Sequence, residues 1–221
     1  ACMNRKLLKR ILVTSAIAVL GVSTSFAALV TERDQSVDTA PSVGMYRFQV
    51  PAELQGSYNS TAVANLTTSM EKEPNTLSMN VAHVKGNPSE SYVVEIYKDL
   101  ATIETHRKSD QYQAFVNEVG SKLTNRKMYD VQSVLLFEKK DALSIVNDGK
   151  AVVTLTEFTV DSNDIDTVQR QYELDIERAV RDDAGYKAGY VLRERNAKNH
   201  WYVIQIYSDQ DALTKHLNSP G

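Results

Sequence analysis

Three polar side chains in the first half of the chain could carry out acid/base chemistry together. Glu95 and Tyr97 lie two residues apart in a segment rich in β-branched and aromatic residues, so the period of two along a strand places them on one face. His106 follows shortly afterwards, and imidazole is suited to abstracting a proton from a phenol or enol near neutral pH. We therefore predict Glu95, Tyr97 and His106 as the catalytic residues.

Other aromatic and imidazole side chains are predicted to contact a ligand rather than to react with it. They flank the same kind of strand in both halves of the chain, and they are His83, Trp201, Tyr207 and His216. No metal site is predicted, because the four histidines show no i, i+4 spacing and the one cysteine, Cys2, lies at the extreme N-terminus.

The overall composition is that of a globular protein. The chain has 221 residues, of which 42% are hydrophobic and 24% charged, with a formal net charge of -3. This charge offers no broad attraction for phosphate, so nucleic acid is not expected as a partner. Glycine-rich phosphate loops, dinucleotide fingerprints and nucleophile elbows are also missing from the sequence.

The first 27 residues have the pattern of a signal peptide. Lysines and arginines precede an apolar stretch at 11–26, and Ser25 and Ala27 provide small residues at positions -3 and -1 of a cleavage site. We predict cleavage after Ala27, a periplasmic or secreted location and no stable membrane span afterwards. A retained anchor is the alternative, although the apolar stretch is shorter than the roughly 20 residues that span a bilayer.

The rest of the chain contains two copies of one unit. The segment at 92–97 (YVVEIY) matches the one at 202–207 (YVIQIY) at an offset of 110, since 202 − 92 = 110. The same offset, without a gap, aligns Phe48 with Phe158 and His106 with His216. We predict an N-terminal linker at 28–41, a first repeat at 42–140, a linker at 141–150 and a second repeat at 151–221.

Periodicity within the repeats predicts an α+β fold. Strands are expected at 43–50, 77–85, 92–97 and 131–137, with one helix between the first two and another beginning after Ser109. This order is β-α-β-β-α-β, the ferredoxin-like unit. The second copy repeats it with strands at 152–160 and 186–195, and it is expected to be incomplete because Gly221 falls where its second helix should begin.

The catalytic residues also have a structural interpretation. A residue present in both copies of a repeat is first explained by shared geometry, so His106 and His216 could simply cap the turn between two helices. Glu95 and Tyr97 could complete a satisfied polar layer at the edge of the sheet. The sequence leaves both interpretations open.

One group of residues carries a resemblance to a known family. The pattern is Glu-x-Tyr at the end of a strand, then a short helix with Ala, then His-x-x-Ser and an aromatic residue, here Glu95, Tyr97, Ala101, His106, Ser109 and Tyr112. The second copy repeats it in part, with Gln205, Tyr207, Ala212, His216 and Ser219. In these residues the sequence resembles the antibiotic biosynthesis monooxygenase domain family of dimeric α+β barrels.

The resemblance implies a barrel built from two units, with a pocket between each sheet and its own helices. The two units are the repeats of this chain or, alternatively, two chains of a homodimer. Members of the family include monooxygenases that need no cofactor and act on phenols and quinols, so a small aromatic or hydrophobic molecule is the implied ligand. Haem-degrading members use an Asn, a Trp and a His; here His106 stands in place of the Trp, and no His lies near Val116, which disfavours that activity.

Two functions therefore remain for comparison with the structure. One is a cofactor-independent monooxygenase acting on an aromatic or quinol-like molecule. The other is a non-catalytic ligand-binding or assembly module, favoured by differences between the copies such as Glu95 against Gln205 and His83 against Arg193. An open pocket around the catalytic residues would favour the enzyme, whereas a space filled by Phe48, Leu66 and Phe115 would favour the module.

Overall fold

The computed structural model describes residues 9–20, 41–139, 145–146 and 149–219. Its elements in chain order are β1 (Lys9–Leu20), β2 (Ser42–Gln49), α1 (Gln55–Lys72), β3 (Thr76–Val84), β4 (Asn87–Tyr97), α2 (Leu100–Arg107), α3 (Asp110–Glu118), β5 (Thr124–Tyr129), β6 (Val131–Glu138), β7 (Ile145–Val146), β8 (Val152–Thr159), α4 (Ile165–Asp182), β9 (Tyr186–Glu194), β10 (His200–Tyr207) and α5 (Gln210–Asn218). The α+β class and the order of elements predicted for both repeats are confirmed.

The predicted signal peptide is described only in part. Residues 9–20 form β1, whereas Cys2, the cleavage site after Ala27 and most of the 28–41 linker lie outside the described residues. Within the described ranges, every helix is too short or too polar to cross a bilayer.

The long helices are formed by the apolar stripes seen in the sequence. In α1 the stripe buries Ala62 and Leu66 against the sheet, and in α4 it buries Ile176 and Ala179. The helix α1 ends at Lys72 with Glu73 as its C-cap, immediately before Pro74, which lacks the backbone N–H that a further turn would use. Each helix is thereby held along one face of its own repeat's sheet.

The strands form two antiparallel four-stranded sheets. The first has the order β5-β2-β4-β3 and the second the order β8-β10-β9-β6, and β1 lies between β3 and β8. The strand order starts with β5 and ends with β6, and only Asp130 separates these two strands in the chain. The strands therefore close into a barrel.

The closing strand of the first repeat differs from its predicted position. A strand at 131–137 is present as β6, but it pairs with β9 of the second repeat, for example Leu136 opposite Tyr190. The fourth strand of the first sheet is instead β5, which the sequence did not reveal. Five of its six side chains are exposed, so it lacks the alternation of apolar and polar residues by which half-buried strands are recognised.

Apolar side chains fill three regions. The largest cluster lies between the sheets and takes residues from both repeats, including Met45, Ile96, Leu155 and Ile204. The other two clusters lie between each sheet and its helices, around Leu66 in the first repeat and Ile176 in the second. The cluster between the sheets is therefore a core that both repeats share.

A polar cluster joins the repeats inside this core. The Tyr190 hydroxyl donates a hydrogen bond to Oε1 of Glu138 and lies 3.1 Å from the Ser78 hydroxyl, to which Nδ2 of Asn80 donates at 2.9 Å. Burial raises the pKa of the Glu138 carboxyl to about 7, although its hydrogen bonds with Tyr190 and Ser78 act in the opposite direction.

This shift predicts a pH-dependent stability that Glu138→Gln should remove. A carboxyl whose pKa is raised on folding stabilises the folded chain fully below its unfolded pKa of about 4.5, and this stabilisation disappears as the pH rises to about 7. The free energy of unfolding should fall by up to about 3 kcal/mol over that interval through Glu138. Urea unfolding at pH 5 and pH 8 measures this change in the free energy of unfolding. The exposed Glu118→Gln variant is the control, and its free energy of unfolding should still change with pH as that of the unchanged protein does.

Candidate active site

A cavity of about 120 Å³ lies between the first sheet and the helices α1, α2 and α3. Its apolar wall consists of Phe48, Ala62, Leu66, Val81, Val93, Ile103 and Phe115. Its polar or hydroxyl-bearing lining consists of Tyr46, Tyr58, Asn65, Glu95, Tyr97, His106, Arg107 and Tyr112. The space is thus open around the three predicted catalytic residues, and Phe48, Leu66 and Phe115 form its walls rather than filling it.

Glu95 and Tyr97 share one end of the cavity. They project from β4 on the same face, and the Tyr97 hydroxyl donates a hydrogen bond to Oε2 of Glu95 at 2.8 Å. Burial raises the pKa of the Glu95 carboxyl, an effect that His106 and the Tyr97 hydrogen bond partly offset. Burial and the neighbouring carboxylate also raise the pKa of Tyr97 far above its usual range, so this phenol remains a hydrogen-bond donor.

His106 is buried beside them, and its ring is oriented by a carboxylate. Its Nδ1 lies 3.0 Å from Oε2 of Glu73, whose other oxygen accepts a hydrogen bond from Nε2 of Gln111 at 2.7 Å. A carboxylate can only accept, so Nδ1 carries a proton, and in the neutral form of the ring Nε2 is an acceptor. Among the described residues this Nε2 has no hydrogen-bond partner. The lone pair suited to proton abstraction is therefore not engaged by another described residue, although Nε2 itself is buried.

Two capped helices position these groups. The Asp99 side chain accepts from the backbone N–H of Thr102 at 2.8 Å and begins α2, which carries His106. The Ser109 hydroxyl accepts from the N–H of Tyr112 at 3.3 Å and begins α3, as the sequence predicted. The rings of His106 and Tyr112 then meet edge to face with centroids 5.0 Å apart.

The sequence did not identify Glu73, Gln111, Tyr46 and Arg107 as site residues. Arg107 is 46% exposed and marks the mouth of the cavity. Burial raises the pKa of Tyr46, as does Glu95, whereas a hydrogen bond with Arg107 lowers it. Glu73 could have been found from the repeat, because an acidic residue precedes the histidine by 33 positions in both copies (106 − 73 = 33; 216 − 183 = 33).

The second repeat contains the same pair of a histidine and a carboxylate. Nδ1 of His216 lies 3.0 Å from Oδ2 of Asp183, as Nδ1 of His106 does from Oε2 of Glu73, so the two copies share this contact. The Tyr186 hydroxyl donates to Oε1 of Gln205 at 2.9 Å. What distinguishes His106 is that it lines the first repeat's cavity.

Large aromatic residues occupy the second repeat where the first has small ones. By the offset of 110, Tyr172 replaces Ala62 and Trp201 replaces Ser91. Tyr172 stacks on Phe158 with centroids 5.6 Å apart. Trp201 is fully buried, and its Nε1 donates to the carbonyl of Lys198. Both rings pack in the apolar cluster of the second repeat.

The four predicted ligand-binding residues lie away from the cavity lining. Trp201, Tyr207 and His216 belong to the interior of the second repeat. His83 lies on β3 with Nε2 2.8 Å from Oδ1 of Asn59, and it contacts the cavity only through the edge of Tyr58, at 5.9 Å between ring centroids. Their ligand-binding role stays a prediction. Among the described residues, no cluster of His, Cys, Asp or Glu could hold a metal ion.

Comparison with known proteins identifies relatives of both repeats. The family model of antibiotic biosynthesis monooxygenases matches residues 43–118 and 151–221. The fold is similar to the solved structure of a putative monooxygenase from Lactobacillus acidophilus, with 18% identity, a TM-score of 0.74 and coverage of 82% of this chain and 83% of that one. A second, from Fusobacterium nucleatum, has 22% identity, a TM-score of 0.69 and 82% coverage of each chain. No curated protein sequence matches. By the two matches to the family model, the chain belongs to the antibiotic biosynthesis monooxygenase family.

Proposed function

We propose that the first repeat is a cofactor-independent monooxygenase that acts on a small phenol or quinol. The observation that carries the proposal is the cavity lined by Glu95, Tyr97 and His106, together with the buried Nε2 of His106, which has no hydrogen-bond partner among the described residues. Membership of the family supports the reaction type, and the apolar wall supports an aromatic substrate.

The cavity volume limits the size of the substrate. An apolar cavity of about 150 Å³ is sufficient to bind benzene. A space of about 120 Å³ that opens to solvent at Arg107 therefore suits one aromatic ring, with larger substituents directed outwards. We propose a monocyclic substrate whose hydroxyl points towards Glu95 and His106.

Proton abstraction is the first step that the residues support. Nε2 of His106 takes the proton of the bound phenol, and Glu73 stabilises the resulting imidazolium through Nδ1–H. The electron-rich phenolate then reacts with dioxygen, and the overall change is phenol plus O₂ to quinone plus water. The ring supplies the four electrons that dioxygen takes up, so the balance requires no external reductant. Glu95, whose carboxyl accepts a hydrogen bond from Tyr97, is the second acid/base group in this proposal.

The experiment is oxygen uptake by the purified, chelator-treated protein with monocyclic phenols and hydroquinones. We expect one O₂ consumed per quinone formed, as measured by an oxygen electrode and by quinone absorbance. Glu95→Gln, which copies Gln205 of the second repeat, should retain ligand binding and lose most of the turnover. Ligand binding without oxygen uptake would instead identify a non-catalytic ligand-binding module, and the absence of both would refute the proposal.

We further propose that the protein acts outside the cytoplasm. The basic, apolar and small-residue pattern of residues 1–27 supports export. Mass spectrometry of the protein from a periplasmic or culture fraction should find Ala28 at the N-terminus. An N-terminus that still includes 1–27 on the exported protein would contradict cleavage at this site.

A further inference from the structure

The mouth of the cavity carries a cationic side chain. Arg107 lines the cavity and is 46% exposed, so it lies between the interior and the solvent. Among the described residues that line the cavity, it alone is permanently positively charged, because a guanidinium does not lose its proton in a protein. A substituent directed outwards from a bound ring would have to pass this group.

Arg107 is held in place by Tyr46 on β2. The two side chains share a hydrogen bond, in which the guanidinium donates to the hydroxyl. Gly44, on the same face of β2, provides the space for the Tyr46 ring, since a Cβ at position 44 would lie 2.8 Å from Cε2 of that ring. The guanidinium is therefore oriented by the protein before any ligand arrives.

The second repeat has none of these three residues. At the offset of 110 it has Thr154, Thr156 and Leu217 instead. The histidine and its carboxylate partner, by contrast, occur in both repeats. The cationic mouth thus does not follow from the geometry that the repeats share, and a role specific to the cavity of the first repeat is the simpler explanation.

Glu104 pairs with Arg107 at the surface but leaves it able to bind an anion. Oε1 of Glu104 lies 3.0 Å from Nη1 of Arg107, and the Glu104 side chain is 61% exposed. An exposed pair of this kind contributes little stability, because water screens it and two long side chains must be ordered. A guanidinium has five N–H donors, and contacts with Glu104 and Tyr46 do not use all of them.

We propose that Arg107 is an anion-binding residue at the cavity mouth, and that the substrate is a phenol with a carboxylate on its outward side. This inference rests on the proposed function of the cavity and narrows its substrate class. The ring occupies the apolar wall, the phenolic hydroxyl faces Glu95 and His106, and the carboxylate pairs with the guanidinium. The planar guanidinium suits this ligand, because it can form two parallel N–H···O bonds with a carboxylate.

Anaerobic titration calorimetry tests the preference with two probes of the same size. They are 4-hydroxyphenylacetate and the uncharged 4-hydroxyphenylacetamide, and oxygen is excluded so that affinity is measured without turnover. At neutral pH we expect the full-length protein to bind the acid about tenfold more tightly than the amide, the usual effect of a hydrogen-bonded charge pair. Arg107→Gln should remove the preference. Lys108→Gln, which removes a charge from the next, exposed residue, should keep it.

Glu104→Gln provides a test in the opposite direction. Without the competing carboxylate, the acid should bind about two- to threefold more tightly than it does to the unchanged protein, while the affinity for the amide stays the same. Glu118→Gln removes the same charge from an exposed position of α3, so both affinities should stay close to those of the unchanged protein.

The outcomes separate this inference from the proposed oxygenase. Equal affinity for the two probes, or an acid preference that survives in Arg107→Gln, would overturn the anion site and leave the oxygenase standing. A preference for the acid that depends on Arg107, without oxygen uptake with any phenol, would support the anion site and refute the oxygenase. If neither probe bound, both proposals would be wrong.

Discussion

His106→Ala is expected to lower kcat of the proposed oxygenase by about 10²- to 10⁴-fold, the usual contribution of a general base. The variant removes an imidazole that lines the cavity and leaves Glu95 and Tyr97 hydrogen bonded to each other. Substrate affinity should change much less than kcat, because the apolar wall remains. Steady-state oxygen uptake as a function of phenol concentration separates the two effects.

The matched control is His216→Ala. Both variants remove a histidine that is paired with a carboxylate at 3.0 Å, so both should lose a similar amount of stability, on the order of 1–3 kcal/mol. Only His106→Ala should lose activity. Equal losses of activity in the two variants would show that the histidines matter for folding alone, and the proposed base would then have to be abandoned.

Ala62→Tyr is expected to weaken ligand binding to the first repeat more than 100-fold. Ala62 is a buried residue of α1 in the cavity wall, and its counterpart Tyr172 shows that a tyrosine can be packed at this position of the repeat. The added ring should occupy the space that a substrate ring needs. Isothermal titration calorimetry with a monocyclic phenol measures the loss of affinity. The Tm of the variant shows whether the added ring fits in the cavity without overpacking the core.

Ala64→Tyr is the corresponding control. It makes the same substitution two residues further along α1, at an exposed position. Affinity and Tm should both stay close to those of the unchanged protein. If Ala62→Tyr bound phenols as well as Ala64→Tyr does, the cavity would not be the binding site.

The elements that repeat were predictable from the sequence, and the pairing of their edges was not. The apolar face of a helix and the apolar residues of a strand are local sequence patterns. Here the pattern in one repeat supports the prediction of the equivalent element in the other. The strand β5 is exposed on most of its side chains, so nothing local distinguishes it from a loop. The partner of β6 was also hidden, because the same apolar strand could close either sheet.

The candidate site was predictable to a similar extent. Glu95, Tyr97 and His106 are close in the sequence, and the structure brings them together around one cavity. Glu73 orients His106 from 33 residues away, a contact that depends on how α1 packs beside α2. The side chains at 62 and 172 differ greatly in volume, and the meaning of this difference for the cavity appears only once the packing is known.

The passage of β5 and β6 from one sheet to the other affects what a single repeat could do alone. Residues 41–139 contain both a strand that is donated across the barrel, β6, and a β3 edge equivalent to the β9 edge that accepts it. Two such fragments could exchange these strands and form a symmetric homodimer with no additional residue. In the tandem chain the same exchange takes place within one polypeptide, because β6 of the first repeat pairs with β9 of the second.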